Sequence, residues 1–281
     1  MSANVLIREI ESFDDVRSVE VLQKEVWGLD DRDITPLAQL VAAREVGGLL
    51  IGAFDGSALI GFVYGFIGVE HGRTIHHSHQ LAVKPEYRHS NLGYRLKLAQ
   101  RERVLAQGIT RITWTFDPLQ SLNAYLNFRK LGVLGDAYKI NFYGTDASSF
   151  LHRFGTDRLW LTWVLGSRRV RERLQGKPEV HQTGVEESPL IQVERDGSPR
   201  QMDLAEGLSG KRALIQIPPD INALQRQHPE QAMKWREATR HAFTEALRRG
   251  FLVEDFLRQP RADQPAGVYL LNRGRKMEDF A

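Results

Sequence analysis

Histidines occur at every second position in the stretch HHSHQLAV (76–83), which alternates like a β-strand. Side chains alternate between the two faces of a strand, so His77 and His79 are predicted to share one face with Leu81 and Val83. A histidine of ordinary pKa, about 6.5, is largely neutral at neutral pH and can accept a proton from a nucleophile. The pair is therefore predicted to act as a general base, directly or through a water molecule.

Two other roles are open to these histidines. A pair one pleat apart could begin a metal site, but no third ligand of suitable spacing is visible, and we predict no metal. Either histidine, His79 in particular, could instead be structural and bond a carbonyl group. The chain has no cysteine, which excludes disulfides, thiolate metal sites and a cysteine nucleophile, and favours a cytoplasmic location.

The strand runs directly into the turn VKPEYRHSNLGY (83–94). Pro85 cannot donate to a sheet ladder, and Asn91 and Gly93 tolerate positive φ, so the backbone can turn sharply here. Successive backbone N–H groups and the positive end of the following helix would then face one concavity. This arrangement predicts a phosphate nest with Arg88 and His89 at its rim. An ordinary strand-to-helix turn is the alternative.

The surrounding elements predict an α/β (α+β) fold, in which a mixed, mostly antiparallel sheet is flanked by helices. Strands are predicted at 5–10, 49–54, 58–68, 76–83, 111–116, 137–143 and 158–165, and helices at 14–26, 36–47, 92–107 and 119–131.

The remainder of the chain differs in composition. Residues 168–210 are rich in charged residues, Gly, Ser and Pro, and predict a linker or irregular extension with a hairpin near 190–202. Residues 211–281 predict a smaller strand–helix–strand–strand segment, with elements at 213–218, 229–249, 251–257 and 267–273. This order resembles that of residues 111–165, as a degenerate partial repeat would. We therefore expect a first domain over 1–167 and a separate segment over 211–281.

The net charge and the hydropathy of the sequence indicate which classes of binding partner to expect. The formal net charge is only +3 over 281 residues, which does not favour nucleic acid and fits a small polyanionic ligand equally well. No stretch approaches about 20 uninterrupted apolar residues, so no membrane span is expected. The N-terminal residues do not resemble a signal peptide, and we expect a cytoplasmic protein.

The segment VKPEYRHSNLG (83–93) resembles the pyrophosphate-binding signature V-x-P-x-x-[RQ]-x-x-G-x-[GA] of the GNAT (Gcn5-related N-acetyltransferase) superfamily. Val83, Pro85, Arg88 and Gly93 match, and Asn91 replaces the first glycine. The element order is similar over residues 5–165, and SLNAYLNFRKLGV (121–133) resembles the family's second helix in contact with CoA. The FDPLQS segment and C-terminal extension are similar to a little-characterised branch of predicted acetyltransferases.

The resemblance implies acetyl-CoA or another acyl-CoA as co-substrate. The pantetheine arm would pair with the end of the strand, the pyrophosphate would lie on the turn, and further contacts would come from the second helix. The residues implied are Leu81, Ala82, Val83, Arg88, His89, Ser90, Asn91, Leu92, Gly93, Tyr94, Ser121 and Asn123.

The resemblance also bears on the chemistry. His77 corresponds to a catalytic glutamate of histone-type members, and both His77 and His79 correspond to histidines of arylalkylamine-type members. Phe128 stands where the family commonly has a tyrosine that protonates the leaving thiolate. Tyr125, one turn earlier, is the substitute we favour, with Tyr138 and Tyr143 as alternatives.

These observations predict an acyl-CoA-dependent N-acyltransferase, with acetyl or a larger group such as succinyl as the acyl group. The acceptor is expected to be a small-molecule amine or amino acid, and homodimer formation is left open. The other function we consider is a non-catalytic acyl-CoA sensor, which the loss of the tyrosine at Phe128 favours. Asp117 could bind a substrate ammonium, but capping of the next helix is the role we expect.

Overall fold

The computed structural model describes residues 5–145, 154–177, 189–259 and 265–280, and its contacts divide these into two compact units. The first unit contains residues 5–114. The second contains residues 115–145 and the described residues from Phe154 onward. None of the described helices is long and apolar enough to cross a membrane.

The first unit is a sheet flanked by three helices. The elements are β1 (Leu6–Glu9), α1 (Phe13–Trp27), α2 (Leu37–Glu45), β2 (Leu49–Asp55), β3 (Ala58–Glu70), β4 (Arg73–Val83), α3 (Leu92–Ala106) and β5 (Arg111–Phe116). Strands β1 to β4 pair in sequence order and are antiparallel, whereas β4 and β5 are parallel.

Helix boundaries in this unit coincide with local sequence signals. The Ser12 hydroxyl accepts a hydrogen bond from the Asp15 amide at 3.1 Å and caps α1, as Ser, Thr, Asp and Asn do at helix N-termini. Pro36 precedes α2, and Gly108 follows α3 with a φ of 76°. Glycine adopts this left-handed conformation without a steric cost, so the helix ends there.

Each face of this sheet has its own apolar core. Phe62, Tyr64 and Ala82 pack on one face against α1 and α2. Val63 and Val83 pack on the other face against α3. The buried strands are therefore held on both sides.

A β-bulge interrupts the pairing of β3 with β4. Tyr64 is paired with Gln80 and Gly65 with Ser78, so His79 is an extra residue on β4. This bulge makes our expected alternation wrong beyond His79. Leu81 and Val83 lie on the α3 face rather than beside the histidines.

The described part of the second unit contains seven strands in one continuous order, several short helices and one long helix. The elements are α4 (Ser121–Ala124), β6 (Leu134–Lys139), β7 (Arg158–Val164), α5 (Arg168–Leu174), β8 (Ile191–Val193), β9 (Pro199–Gln201), α6 (Leu204–Gly207), β10 (Arg212–Ile217), α7 (Ile221–Gln227), α8 (Pro229–Arg248), β11 (Phe251–Gln259) and β12 (Ala266–Arg273). The strand order is β7-β6-β11-β12-β10-β8-β9, and neighbouring strands are antiparallel except for the parallel pair β10 and β8.

The hairpins β6–β7 and β11–β12 share a structural detail. Each contains a one-residue irregularity, at Asp136 in the first and Glu254 in the second. The hairpins meet through a pairing of Gly135 with Val253, the residues directly before these bulges. The two hairpins therefore have equivalent bulges and meet at equivalent positions.

The predicted fold class is confirmed, and so is the hairpin near 190–202, which forms β8 and β9. Three details differ. The strand predicted at 137–143 lies at Leu134–Lys139, because Gly132, with a φ of 76°, ends the preceding helix and the strand follows almost at once. Residues 168–210 also contain α5 and α6, and α7 precedes the predicted long helix. Residues 178–188 of that segment lie outside the described residues.

Candidate active site

His77 and His79 lie together on the α1 face of the first unit. Their ring centroids are 6.4 Å apart, and the Phe66 ring lies 5.5 Å from the first and 5.9 Å from the second. The His77 Nδ1 atom lies 3.0 Å from the Thr113 hydroxyl on β5. This contact orients the imidazole. The structure therefore brings together the two histidines predicted as the base.

Hydrogen bonds hold the segment between α1 and α2 next to this histidine pair. Gln80 lies next to the bulged His79, and its Nε2 donates to Gln23 Oε1 at 3.0 Å. Gln23 is fully buried, donates to the Thr35 carbonyl at 3.0 Å and accepts from the Thr35 amide at 2.7 Å. Gln23 thus links α1, the segment before α2, and β4.

Both histidines of the pair are neutral at neutral pH. Burial, with smaller contributions in the same direction from the neighbouring His79 and Lys97, lowers the pKa of His77 to about 4. Burial also lowers the pKa of His79. A neutral imidazole can accept a proton, but so low a pKa means that His77 would hold the proton only briefly.

The opposite face of β4 carries a buried polar cluster. Lys97 of α3 is 2% exposed, and its Nζ atom lies 2.8 Å from Ser78 Oγ and 3.7 Å from the centroid of the Trp114 ring. Gln100 Oε1 lies 3.4 Å from the same nitrogen, and Gln100 Nε2 lies 3.2 Å from His76 Nε2. The sequence pattern of this region indicated a role only for the histidines. Lys97 looked like an ordinary helix residue because its burial depends on the sheet beside it.

In the turn after β4, Asn91 has a positive φ, whereas Gly93 does not. A 3₁₀ turn over Pro85–Ser90 leads to Asn91, which has a φ of 61°, and α3 begins at Leu92. Gly93 does not have positive φ; it lies inside the first turn of the helix. Of the two residues expected to tolerate positive φ, only Asn91 adopts it.

Packing does not require a glycine at position 93 either. A β-carbon placed there would meet only Leu81 Cδ2, at 3.8 Å, which is an ordinary contact. The first-turn amides of α3 have no partners within the helix ladder, as at every helix N-terminus. Gly93 therefore leaves the N-terminus of α3 open to close approach by a group outside the fold.

Other predicted CoA-contacting residues of this unit have varied surroundings. The Arg88 side chain is exposed, and its Nε donates to the Val83 carbonyl at 3.3 Å. The Ser90 hydroxyl donates to the Tyr87 carbonyl at 2.6 Å. Side chains of Ala82, Val83 and Leu92 are buried in the two cores, so only their backbone atoms can meet a ligand. Leu81 and Tyr94 are half-buried, and the predicted His89 side chain lies outside the described part of the structure.

The remaining predicted residues belong to the second unit. Helix α4 continues as a π-helical segment over Tyr125–Leu131, a rare conformation that is frequent at functional sites. Ser121 is buried at the start of α4, and Asn123 is exposed. Tyr125 is half-buried, with the Arg258 guanidinium 5.9 Å from its ring centroid.

Phe128 is fully buried within an aromatic cluster of the same unit. Its ring centroid lies 6.2 Å from that of Phe116 and 5.7 Å from that of Tyr269. Of the alternative acids, Tyr138 donates to Asp157 at 2.9 Å, and burial together with this carboxylate raises the pKa of its hydroxyl. A raised pKa makes Tyr138 a poorer proton donor.

Asp117 has a different role from those predicted. Its carboxylate makes two hydrogen bonds to the Arg236 guanidinium, at 2.8 and 2.7 Å, and also accepts from the Leu119 amide at 3.0 Å. Burial alone would raise the pKa of Asp117, but Arg236 holds it below its ordinary value. Asp117 thus shapes the turn before α4 and pairs with α8. It does not cap α4, and an arginine already occupies the position expected for a substrate ammonium.

Part of the chain matches a known family model. Residues 13–132 match the model of the acetyltransferase (GNAT) family. No curated protein matches the chain.

Several solved structures are similar over roughly the same share of the chain. The acetyltransferase of GNAT family from Streptococcus pneumoniae is 16% identical, with a TM-score of 0.46, over 57% of this chain and 98% of that chain. The ribosomal-protein-S18-alanine N-acetyltransferase of Escherichia coli is 12% identical, with a TM-score of 0.45, over 64% and 98%. PaiA N-acetyltransferase from Thermoplasma acidophilum, solved with coenzyme A, is 20% identical, with a TM-score of 0.41, over 57% and 98%.

Proposed function

We propose that the protein is an acyl-CoA-dependent N-acyltransferase acting on the amine of a small molecule, a proposal that the match of residues 13–132 to the acetyltransferase (GNAT) family model supports. The acyl group is acetyl or a larger group such as succinyl, and the acceptor class includes amino acids. The acyl-CoA-binding domain is proposed to comprise residues 1–167, followed by an extension over 168–210 and a C-terminal segment over 211–281. A cytoplasmic location is part of the proposal.

The observation that carries this proposal is the arrangement along β4. The bulged His79 and its neighbour His77 lie in one part of the strand, and the turn to α3 begins at its end. Val83 lies four positions after His79, a rise of about 13 Å in an extended strand. A base and an anion-binding helix N-terminus are thus separated by a stretch of backbone along which an extended ligand arm can lie.

The residues fit the co-substrate through their backbone. The open N-terminus of α3, with Gly93 in its first turn, would receive the pyrophosphate, with Arg88 adding positive charge at the rim. β4 pairs with β5 at two registered positions, His76 with Ile112 and His77 with Thr113. Beyond these pairs β4 continues to Val83. The backbone of Leu81 to Val83 is therefore proposed to pair with the pantetheine arm.

In the proposed reaction, His77 or His79 takes a proton from the acceptor ammonium or amine, directly or through water. The amine nitrogen bonds to the thioester carbon as the carbon–sulfur bond breaks, and a backbone N–H near Leu81 steadies the oxyanion. Tyr125 remains our proposed donor to the leaving thiolate, and Ser121 and Asn123 remain proposed contacts of CoA. A thiol has a pKa near 8.5 and leaves fairly well as the anion, which reduces the need for an acid.

The absence of cysteine makes the test direct, because free thiol released from acyl-CoA is read without a background from the protein. Acetyl-CoA and succinyl-CoA would be incubated with the protein and pooled amines or amino acids. We expect thiol release that requires both amine and enzyme. Replacing His77 and His79 together with alanine should lower turnover at least ~10²-fold. His241, an exposed histidine of α8, is the matched control.

A non-catalytic acyl-CoA sensor is the second candidate, and the observation in its favour is Phe128, which has no hydroxyl and is fully buried. Acyl-CoA binding measured by calorimetry, without thiol release in any amine pool, would support the sensor and contradict the transferase. Thiol release that the double histidine variant leaves unchanged would remove both histidines as bases.

A further inference from the structure

Residues 117–120 lead directly into α4, and side chains of the C-terminal segment bind them. Arg236 of α8 donates two hydrogen bonds to the Asp117 carboxylate, at 2.8 and 2.7 Å. The Tyr269 hydroxyl on β12 donates to the Pro118 carbonyl at 2.6 Å. Arg236 and Tyr269 are both buried, and a hydrogen bond is electrostatically stronger in such surroundings than in water.

A third contact joins α7 to the last residue before α4. The side-chain amides of Asn222 and Gln120 bond reciprocally, since each nitrogen donates to the oxygen of the other residue at 3.0 Å. Gln120 is also the N-cap of α4, and its carbonyl accepts from the Ala124 amide at 2.9 Å. Three different elements of the C-terminal segment, α7, α8 and β12, therefore fix the point at which α4 begins.

The same segment binds the far end of the helix. The π-helical continuation of α4 ends at Leu131, and Arg129 in its last turn donates to the Asp255 carboxylate of β11 at 3.1 Å. Asp255 is fully buried, so this ion pair is fixed from the side of the C-terminal segment. Residues 121–131 are thus held at both ends by residues that lie far along the chain.

A helix of this length depends on such contacts for its position. Helix α4 has 4 residues and its π-helical continuation has 7, and isolated helices shorter than about 12–15 residues are marginal in water. Side chains that contact a ligand must be held within about 0.5 Å of their productive positions, which requires support from the residues behind them. For this helix the C-terminal segment supplies that support.

We propose that the C-terminal segment completes the acyl-CoA site, with Asn222, Arg236 and Tyr269 as positioning residues that set α4, and with it Ser121 and Asn123, against the bound CoA. This inference rests on the proposed function, in which the two residues of α4 contact CoA. It gives the segment a part in ligand binding in addition to its part in the fold. Its signature is weaker binding of acyl-CoA by a protein that is still folded.

The direct test is calorimetric titration of the full-length protein with acetyl-CoA. Asn222→Ala removes the amide pair from the side of the C-terminal segment, and alanine is favourable in a helix, so the variant should fold as the wild type does. We expect its Kd for acetyl-CoA to be about tenfold higher, because small displacements of contacting groups weaken a preorganised site. Gln227→Ala, at an exposed amide at the end of the same helix, is the matched control and should keep the wild-type Kd.

An exchange of the two amides separates positioning from the identity of each residue. Gln120→Asn shortens one partner and Asn222→Gln lengthens the other, so each single variant should bind acetyl-CoA more weakly. The double variant keeps both amides and their combined length, and it should recover most of the affinity. Such recovery requires that the pair, and not either side chain alone, sets the affinity.

Tyr269→Phe tests the contact from β12 independently of the amide pair. The ring stays in its aromatic cluster while the Pro118 carbonyl loses its donor, and acetyl-CoA should bind several-fold more weakly. Urea denaturation of each variant, with a single cooperative transition, establishes that the protein used in the titration is folded.

Three results would overturn the inference. If Asn222→Ala and Tyr269→Phe both bind acetyl-CoA with the wild-type Kd, the C-terminal segment supports the fold alone. If the amide exchange leaves binding as weak as in the single variants, one of the two side chains acts by itself and the pair does not position α4. If the wild-type protein binds no acetyl-CoA, the proposed function itself fails, and this inference fails with it.

Discussion

The side-chain amides of Gln23 and Gln80 meet although the residues are 57 positions apart: Gln80 Nε2 donates to Gln23 Oε1 at 3.0 Å. Gln23 is fully buried on α1, and Gln80 follows the bulged His79 on β4. Through its two further bonds to Thr35, Gln23 also holds the segment that leads into α2. The position of this segment relative to the histidines thus depends on one buried amide.

We predict that Gln23→Leu lowers the free energy of unfolding by about 2 kcal/mol, because it leaves the Thr35 amide and carbonyl without their partner. Urea denaturation measures this loss. Gln201→Leu, at an exposed position of β9, is the control and should change stability by less than about 0.5 kcal/mol. Equal stability of the Gln23 variant and the wild type would contradict the structural role assigned here.

Thr113 is predicted to orient His77 through the 3.0 Å contact between its hydroxyl and Nδ1. Thr113→Val keeps the shape but removes the hydroxyl, so kcat should fall by about tenfold, within the range for groups that position a base. Thr113→Ser restores the hydroxyl and should recover most of the rate. A rate for the valine variant equal to that of the wild type would show that His77 needs no such orientation.

Gly93→Ala separates ligand binding from folding. The added methyl meets only Leu81 Cδ2 at 3.8 Å, and alanine favours a helix over glycine by up to about 1 kcal/mol, so stability should stay the same or rise. Affinity for CoA, measured by calorimetry, should fall by about tenfold or more because the methyl lies where the pyrophosphate is proposed to approach.

Gly108→Ala is the matched comparison for this experiment. Gly108 has a φ of 76°, so alanine is strained there and should lower stability without changing CoA affinity. Unchanged CoA affinity in Gly93→Ala would contradict the proposed binding position.

The low histidine pKa values predict how stability depends on pH. In the unfolded chain His76 and His77 protonate near pH 6.5, whereas in the folded protein burial lowers their pKa values to about 3 and about 4. Between these limits the unfolded state binds more protons, so stability is complete above pH 6.5 and is lost as the pH falls towards 4. The total loss should be on the order of a few kcal/mol.

Denaturant unfolding between pH 7 and pH 4 measures this dependence, with a variant carrying His76→Asn and His77→Asn as the comparison. Carboxylates also titrate in this range, but their contribution is common to both proteins and cancels in the difference. The variant should lose stability less steeply as the pH falls. The same steepness in both proteins would show that these histidines are not buried in neutral form.

The sequence predicted the fold class, most strands and the shared face of His77 and His79, because hydrophobic periodicity and turn residues act locally. It did not predict the bulge at His79, which arises from pairing with β3, and for that reason misplaced Leu81 and Val83. The contacts of His77 with Thr113 and of Lys97 with Trp114 depend on the parallel register of β4 and β5, which no local pattern encodes. Gly93 was singled out for its φ, but its backbone is helical and its lack of a side chain is what distinguishes it.

The pairing of β6 with β11 has a consequence for shortened forms of the chain. Within the second unit, β11 pairs with one side of β6 at Val253 and Gly135, and the other side of β6 is paired with β7. A chain ending before residue 211 would leave β6 as an open edge with unpaired amides and carbonyls, a template for strand addition by another molecule. Such a fragment should self-associate at concentrations where the full-length chain keeps this edge covered. The C-terminal hairpin thus protects the protein against intermolecular β-pairing, whatever else it contributes.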